Sequence, residues 1–242
     1  MGQPTIYKPS VYNGNGIYKN GAGGGGGGDI PNIFKNVYMP VISFGNQNYL
    51  NIDNENKLIY SKEQEFVICP KLNFNWQNIN KIECGVHFYC IDENLSYPLS
   101  AIFIRGTDLN GNYLSRIATL SFYRPGGGNG CQIRYSNNDG SQWLAEDYFN
   151  GNAWNKEMFS KIVVEKKDNG TQIVIDARPC ITNILTKDLN YNLPATDFSV
   201  SFGGYGLYNI SNSHGSGFCR GSNLYSNGTY IKIDDNLVFG EE

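Results

Sequence analysis

Strict alternation of apolar and polar residues is the feature of this sequence that most limits the fold it can adopt. The clearest run is residues 82–90, where every second position is apolar: Ile82, Cys84, Val86, Phe88 and Cys90. Residues 118–123 and 198–202 repeat the pattern. Successive side chains of a β-strand point to opposite faces of the sheet, so this pattern predicts strands with one buried face. Helical periodicity is nearly absent, with short turns near 155–160 and 183–187 as the only candidates.

Turn signals separate the alternating runs. Asn110-Gly111 lies between the apolar runs 102–109 and 113–123, and Asp168-Asn169-Gly170 lies between 161–166 and 171–177. Both are strong hairpin signatures, because Asn and Gly tolerate the positive φ angles of tight turns. About ten to fourteen strands with one apolar phase each bury those faces when two sheets pack together. We therefore predict an all-β, two-sheet sandwich over residues 37–242.

The first 36 residues differ from the rest and are predicted to form an extended arm and Gly-rich linker. The tract Gly23–Gly28 has no side chains to bury and cannot belong to a self-contained core. One interpretation is a flexible linker. The other, which we favour, is an arm that becomes ordered against a partner, because the same kind of dipeptide recurs. The predicted partner-binding residues are Ile6, Tyr7, Val11, Tyr12, Ile17 and Tyr18.

Charge and cysteine usage exclude several function classes. The net charge is -3, and the basic residues are scattered apart from Lys166-Lys167, so nucleic acid is not expected as a partner. No apolar run approaches the roughly 18 residues of a membrane span, so no membrane insertion is expected. The six cysteines contain no C-x-x-C pair. Cys84 and Cys90 lie too far apart on one strand to bond to each other. We expect buried free thiols and synthesis in a reducing compartment.

Two segments carry a resemblance to a known fold. The first, residues 154–178, is a tryptophan-led hairpin with a tight turn, and the second, residues 228–239, reads glycine, apolar, Asp-Asp and then an apolar run. Their order resembles the concanavalin A-like and laminin G-like jelly rolls, over residues 40–242. This resemblance implies a jelly-roll sandwich with a last strand at 228–239. It implies little about function, because the fold hosts lectins, glycosidases and inert spacers.

The arm carries a second resemblance. Residues 5–14, then 16–21 and the glycine tract, resemble the N-termini of structural proteins from tailed phages of gut bacteria. That resemblance implies a head or tail fibre-like virion protein made in the bacterial host cytoplasm. Its arm would bind capsid or tail proteins, and its outer domain would contribute to host attachment. A homo-oligomer is expected, because particle fibres are usually symmetric.

Candidate catalytic groups are few. A retaining glycosidase of this fold would carry alternating carboxylates on one strand, about 5–5.5 Å apart. Glu146-Asp147 and Asp234-Asp235 are adjacent residues that point to opposite faces, and Asp53 and Glu55 lie in an Asn-rich stretch. His87 lies on the polar phase of a strand, and His214 lies in a loop without a nucleophile elbow. We therefore predict no enzyme, no catalytic residues and no cofactor. Calcium stays an alternative for residues 137–140, whose oxygen-bearing side chains also suit a plain turn.

Recognition is the function that these residues favour. Trp143 is flanked by polar side chains that suit sugar hydroxyls, and glycine-flanked tyrosines lie in a second loop. The glycan-binding candidates are Trp143, Asn137, Asn138, Asp139, Gln142, Tyr205 and Tyr208. The alternative places Trp143 and Trp154 in the core. The sequence thus predicts a phage structural or decoration protein that binds host surface glycans. The alternatives are a secreted carbohydrate-active enzyme or its carbohydrate-binding module, and a spacer domain without a ligand.

Overall fold

The fold is an all-β sandwich of two antiparallel sheets, as the alternation predicts. The protein is described by a computed structural model. The structure describes residues 41–44, 50–61, 67–70, 74–90, 99–107, 113–122, 130–139, 141–148, 151, 153–193, 197–203, 218 and 221–242. The predicted arm, residues 1–36, lies outside the described residues. So do Tyr205, Tyr208 and His214.

Sheet A has the strand order β1-β4-β14-β7-β8-β9-β10, with β5 paired to β14. Within the described residues its strands are β1 (Val41–Phe44), β4 (Val67–Pro70), β5 (Phe74–Asn75), β7 (Leu99–Thr107), β8 (Tyr113–Phe122), β9 (Cys131–Ser136), β10 (Trp143–Tyr148) and β14 (Asp197–Phe202). A 3-10 helix, Trp76–Asn78, follows β5, with the Asn75 side chain accepting from the Gln77 backbone N–H.

Sheet B has the strand order β13-β12-β11-β6-β15-β3-β2, with β16 paired to β15. Among the described residues its strands are β2 (Leu50–Asp53), β3 (Leu58–Ser61), β6 (Lys81–Cys90), β11 (Lys156–Lys167), β12 (Gly170–Asp176), β13 (Leu185–Leu189), β15 (Asn223–Ile233) and β16 (Asn236–Glu241). Long-range pairing therefore places β15 beside β6 at the centre of the sheet, and β16 pairs with β15.

The core lies between the inner faces of the two sheets. Each inner face is the apolar phase of its strands, and the side chains it buries are the ones that the alternation selects. Full burial of a single large apolar side chain contributes about 1.5–3 kcal/mol, so the core supplies most of the stability. The largest fully buried side chains include Trp76, Phe88, Phe122, Trp154, Phe198, Phe202 and Phe239. Trp154 thus belongs to the core, as the alternative interpretation expected.

Both predicted hairpins are confirmed. β7 pairs with β8 in antiparallel register on either side of residues 108–112, and β11 pairs with β12 around the turn at Asp168 and Asn169. β12 begins at Gly170, whose φ is 147° and whose missing Cβ leaves room for the Leu189 carbonyl oxygen. Only glycine fits this turn, because any Cβ would overlap that backbone atom.

The two helical candidates were wrong. Residues 156–160 open strand β11, where Met158 and Ser160 are buried and Phe159 is exposed, and 185–187 belong to β13. Residues 156–160 pair with β6, and residues 185–189 with β12. The hydrogen bonds of these ladders outweigh a local helical preference that had no apolar stripe to support it.

The predicted last strand at 228–239 was wrong in its extent. Asp234 and Asp235 have φ angles of 46° and 65°, so the chain turns there and continues as β16. Two consecutive positive φ angles define a tight hairpin turn, which Asp tolerates better than most residues. The Asp234 carboxylate also accepts hydrogen bonds from the backbone N–H groups of Asn80 and Lys81.

Four cysteines are buried free thiols: Cys84, Cys90, Cys131 and Cys180. This confirms the expectation for Cys84 and Cys90, which are fully buried on the inner face of β6. Burial raises the pKa of Cys131 to about 12 and that of Cys180 to about 11, so both stay protonated at neutral pH. In the described part of the chain, no helix is long and apolar enough to cross a membrane.

Candidate functional site

The outer face of sheet A carries polar side chains where β8, β9 and β10 lie side by side. The accessible part of this surface lies on β9 and β10, because Thr119 and Ser121 of β8 are buried. The register places Thr119 opposite Arg134, and Arg134 opposite Ala145. The next row is Ser121, Gln132 and Asp147. These side chains belong to the polar phase of strands whose apolar phase fills the core, so alternation alone brings them to one face.

A chain of hydrogen bonds joins three side chains of this surface. The Arg134 Nε–H donates to Gln132 Oε1, and Gln132 Nε2 donates to Asp147 Oδ1 at 2.5 Å. Gln132 is only 5% exposed, whereas Arg134 is half-buried and Asp147 is exposed. A buried amide bonded at both ends has one orientation, so it holds the guanidinium and the carboxylate in place. We call Gln132, Arg134 and Asp147 the sheet A triad.

The turn between β9 and β10 contains most of the predicted glycan-binding residues. Asn137 Oδ1 accepts from the Gln142 backbone N–H at 3.1 Å, and Asp139 Oδ1 accepts from the Ser141 backbone N–H at 2.8 Å. Hydrogen bonds from Ser141 also hold the pKa of Asp139 below its usual value. Asn137 and Asp139 therefore act as turn-forming side chains, while Asn138 and Gln142 are exposed. The turn adjoins the sheet A triad along the same hairpin.

Of the other predicted binding residues, only Trp143 lies among the described residues. Trp143 opens β10 and pairs in register with Ser136, at the turn end of this hairpin. Tyr205 and Tyr208 fall outside the described residues, as do Ile6, Tyr7, Val11, Tyr12, Ile17 and Tyr18 of the predicted arm. The structure thus brings Asn137, Asn138, Asp139, Gln142 and Trp143 together on one hairpin. Their glycan-binding role stays a prediction.

Glu146 and Asp147 lie on opposite faces of β10, as their adjacency predicts. Glu146 accepts from the hydroxyls of Tyr135 and Tyr148, each at 2.9 Å, and it forms an ion pair with Lys187 of β13. These four residues, which we call the edge latch, join the β9–β10 hairpin of sheet A to β13 of sheet B. The inward-facing Glu146 carboxylate therefore has hydrogen-bond donors, whereas Asp147 faces outward.

The electrostatics of the edge latch follow from this pairing. Burial alone would raise the pKa of Glu146, but the bonds from Lys187, Tyr135 and Tyr148 outweigh it and hold that pKa below its usual value. Burial and the bond to Glu146 raise the pKa of Tyr148 to about 12. At neutral pH the latch therefore contains one carboxylate, one ammonium and two neutral phenols. Glu146 is a poor proton acceptor in this state.

The described residues contain no group of three or more His, Cys, Asp or Glu side chains that could hold a metal ion. The calcium alternative at residues 137–140 rested on the oxygen-bearing Asn and Asp side chains of this segment. Asn137 Oδ1 and Asp139 Oδ1 instead accept backbone hydrogen bonds of the turn. The turn accounts for Asn137 and Asp139, and calcium binding stays a prediction that these bonds do not test.

Sequence reasoning did not select Gln132 and Arg134. The signal was present, because Gln132 and Arg134 alternate with the apolar Cys131, Ile133 and Tyr135 along one strand. Two long polar side chains on a strand mark its outer face but do not show what lies beside them. Their link to Asp147 appears only once β9 and β10 are in register.

Comparison with known proteins assigns no family to this chain. A scan against protein-family models and a search of curated proteins both found no match. Among solved structures, alginate lyase A1-II' of polysaccharide lyase family 7 matches with a TM-score of 0.46 and 9% identity, over 82% of this chain and 86% of that chain. The CBM40 module of Ruminococcus gnavus IT-sialidase, bound to α2,3-sialyllactose, matches with a TM-score of 0.38 and 15% identity, over 61% and 76%. A legume lectin-like domain from Entamoeba histolytica matches with a TM-score of 0.44 and 8% identity, over 84% and 90%.

These comparisons contradict the expectation that the chain is not an enzyme, because the matched structures include several of alginate lyase. That expectation rested on the lack of two carboxylates spaced along one strand, which tests only for one kind of glycoside hydrolase. A lyase of the same architecture does not have to meet that criterion. The structures named above include no phage particle protein, so the predicted virion role gains no support from them.

Proposed function

We propose that this chain is a carbohydrate-recognising sandwich, either the body of a carbohydrate-active enzyme or a carbohydrate-binding module. Its polysaccharide would lie along the β9–β10 hairpin, on the outer face of sheet A. The observation that carries the proposal is the sheet A triad, in which a buried Gln132 holds Arg134 of β9 and Asp147 of β10 side by side.

The triad has the chemistry that a sugar ring with several hydroxyls requires. A guanidinium offers five N–H donors in a planar fork, and only its Nε–H is used within the described residues, by Gln132. A carboxylate such as Asp147 accepts from hydroxyls. The fork also binds a carboxylate in a bidentate manner, which favours sugars that carry an acid group. Because the triad is fixed by its own hydrogen bonds, little side-chain freedom is lost when a ligand binds.

The adjoining turn extends this surface. Asn138 and Gln142 are exposed beside the turn-forming Asn137 and Asp139. Position 143 brings a tryptophan to the start of β10, and aromatic rings stack on the apolar faces of sugars. A polysaccharide that followed the hairpin would therefore meet the triad first and the turn next.

The proposal is tested by affinity electrophoresis in gels that contain alginate, a neutral β-glucan or no polysaccharide. We expect the wild-type chain to be retarded by at least one polysaccharide. Arg134→Met removes hydrogen bonds to a charged group worth about 1.5–3 kcal/mol, so it should weaken binding by roughly 10- to 100-fold. Lys167→Met removes a surface cation of sheet B and serves as the control. Equal retardation of the wild-type and Arg134→Met proteins, or none at all, would refute the proposal.

The same incubations distinguish an enzyme from a binding module. Polysaccharide lyases break a glycosidic bond by elimination and leave a new carbon–carbon double bond next to the carboxylate of the product. Ultraviolet absorbance detects that conjugated product, and a reducing-end assay detects hydrolysis. Products that disappear in the Arg134→Met protein would identify a carbohydrate-active enzyme with its site on this face. Retention without products would identify a binding module.

The binding of residues 1–36 to capsid or tail proteins is a separate proposal, as is a location in the virion. Both depend on the three apolar–Tyr pairs that end at Tyr18, in a segment outside the described residues. A chain that lacks residues 1–30 should keep its β circular dichroism but no longer join particles. Unchanged incorporation of the truncated chain would reject the role of the arm.

A further inference from the structure

Three rings from three strands form a continuous stack on the outer face of sheet B. The register places Phe159 of β11 opposite His87 of β6, and His87 opposite Tyr225 of β15. The ring centroids of Phe159 and His87 lie 3.8 Å apart at 24°, and those of His87 and Tyr225 lie 4.2 Å apart at 20°. Stacks of this kind are more rigid than isolated surface rings, because each ring blocks the rotation of its neighbour.

Hydrogen bonds fix the central ring at both nitrogens. His87 Nδ1 lies 2.8 Å from the Asn227 carbonyl oxygen and is the donor there, since a carbonyl oxygen only accepts. His87 Nε2 lies 2.6 Å from Glu157 Oε1. The imidazole is almost fully buried, while the Glu157 side chain is 54% exposed. The histidine thus links a rigid stack to a carboxylate that is open to solvent.

The outer end of the stack is open. Phe159 is 56% exposed, which is unusual for a large apolar side chain held in one position. The pairing explains this exposure, because β11 pairs with β6 from Lys156 but with β12 only from Lys161 onward. Among the described strands, none pairs with the first five residues of β11 on that side. One face of the Phe159 ring lies against His87, and the ring extends from there into solvent.

The surroundings of Phe159 favour a sugar over a protein partner. On this face its neighbours along β11 are Glu157 and Lys161, whose side chains are 54% and 41% exposed. A stable protein interface buries about 800 Å² on each partner, much more than one ring surrounded by charges provides. A pyranose ring has one apolar C–H face and a rim of hydroxyls, which matches an exposed ring between a carboxylate and an ammonium.

We infer that the Phe159 end of this stack is a second carbohydrate subsite, on the opposite side of the sandwich from the sheet A triad. The apolar face of a sugar extends the stack beyond Phe159, and Glu157 and Lys161 bind its hydroxyls. This inference rests on the proposed function. Two sites on opposite faces let one chain bind two polysaccharide strands, which strengthens retention on a polymer without any new contact.

The experiment counts sites with short ligands, so that retention on a polymer does not obscure the result. Isothermal titration calorimetry with alginate and β-glucan hexasaccharides is carried out on the wild-type chain, on Phe159→Ala, on Arg134→Met and on the double variant. Phe159→Trp keeps a stacking ring at this position and should therefore keep the site that Phe159→Ala removes. Ile184→Ala removes another exposed apolar side chain and is the matched control. Circular dichroism confirms that each variant is folded before its binding is measured.

The expected result is two oligosaccharides per chain for the wild type, Phe159→Trp and Ile184→Ala. Phe159→Ala and Arg134→Met should each bind one, and the double variant none. A single wild-type site that only Arg134→Met removes overturns the second subsite and leaves the proposed function intact. A site that only Phe159→Ala removes supports the subsite and refutes the sheet A location. An Ile184→Ala protein that loses the same site as Phe159→Ala overturns the subsite, since any apolar truncation would then act alike. No binding by any protein overturns both.

Discussion

Gly85→Ala should destabilise this protein by steric overlap with one ring. Gly85 lies at the centre of β6, opposite Tyr230 of β15, and its φ is outside the left-handed region. An added Cβ would lie 2.7 Å from Cδ1 and from Cζ of the Tyr230 ring and closer still to Cε1. Tyr230 is 5% exposed, and its hydroxyl donates to Glu83 Oε1 at 2.7 Å. The ring therefore cannot move without breaking a bond to a carboxylate that is itself only 8% exposed.

The expected loss of stability combines two destabilising contributions and one stabilising contribution. Overpacking of this kind costs about 1–3 kcal/mol. A lost hydrogen bond to a charged group costs about 1.5–3 kcal/mol. Alanine recovers about 0.4–1 kcal/mol because it restricts the unfolded chain. We expect a net loss of about 3 kcal/mol in the free energy of unfolding, which lowers the Tm of a chain of this size by about 6–12 °C.

Thermal and urea unfolding, followed by circular dichroism and tryptophan fluorescence, measure this loss. Tyr230→Phe removes only the hydroxyl and should cost about 1.5–3 kcal/mol, because the buried Glu83 carboxylate loses a hydrogen bond. It keeps its longer ion pairs with Lys81 at 3.9 Å and Lys161 at 3.7 Å. The decisive comparison is Gly85→Ala in a Tyr230→Leu background. If the ring causes the loss, most of the alanine penalty disappears there. An equal penalty with and without the ring would refute the reasoning.

Further predictions concern the edge latch, the core and the final turn. Glu146 has a lowered pKa in the folded state, so its stabilisation is present above the unfolded pKa of about 4.3 and is lost as pH falls through the folded value. Glu146→Gln should therefore have a lower free energy of unfolding than wild type at pH 7, and the difference should shrink in acid. Urea unfolding at several pH values measures this difference. Phe88→Ala should cost about 3–5 kcal/mol in the same assay, because Phe88 is fully buried between the sheets. Asp234→Ala should cost about 1–3 kcal/mol, because it removes the acceptor of the Asn80 and Lys81 backbone N–H groups. A cost for Asp234→Ala no greater than that for Asp235→Ala would contradict this account.

Local pattern was sufficient for the fold class and for the hairpins. The alternation of residues 82–90 predicted a strand with a buried face, and β6 is that strand, with Cys84, Val86 and Phe88 fully buried. Strand geometry has a period of two, so such a face can be recognised without knowing its partner. The turn at Asp168 was equally readable, because a hairpin depends only on residues near each other in the chain.

Pattern was misleading where two local readings compete. The sequence of residues 156–160 has neither the apolar spacing of an amphipathic helix nor a clear strand pattern. Pairing with β6 makes this segment a strand. Asp234 and Asp235 were read as part of one strand because apolar runs flank them. They form a turn because β16 folds back onto β15 and closes the ladder.

The sites were determined by tertiary structure. Adjacency alone places Glu146 and Asp147 on opposite faces of the strand. It does not show that Glu146 contacts Lys187 and that Asp147 contacts Gln132. Register decides that, because it sets which side chains of different strands become neighbours.

From its sequence alone, this protein was already determined to be a two-sheet β-sandwich, since burial of one apolar phase per strand needs no knowledge of distant residues. The stack of Phe159, His87 and Tyr225 was decided only by the tertiary structure. These rings come from three strands far apart in the chain, and long-range hydrogen bonding across β6 is what places them side by side.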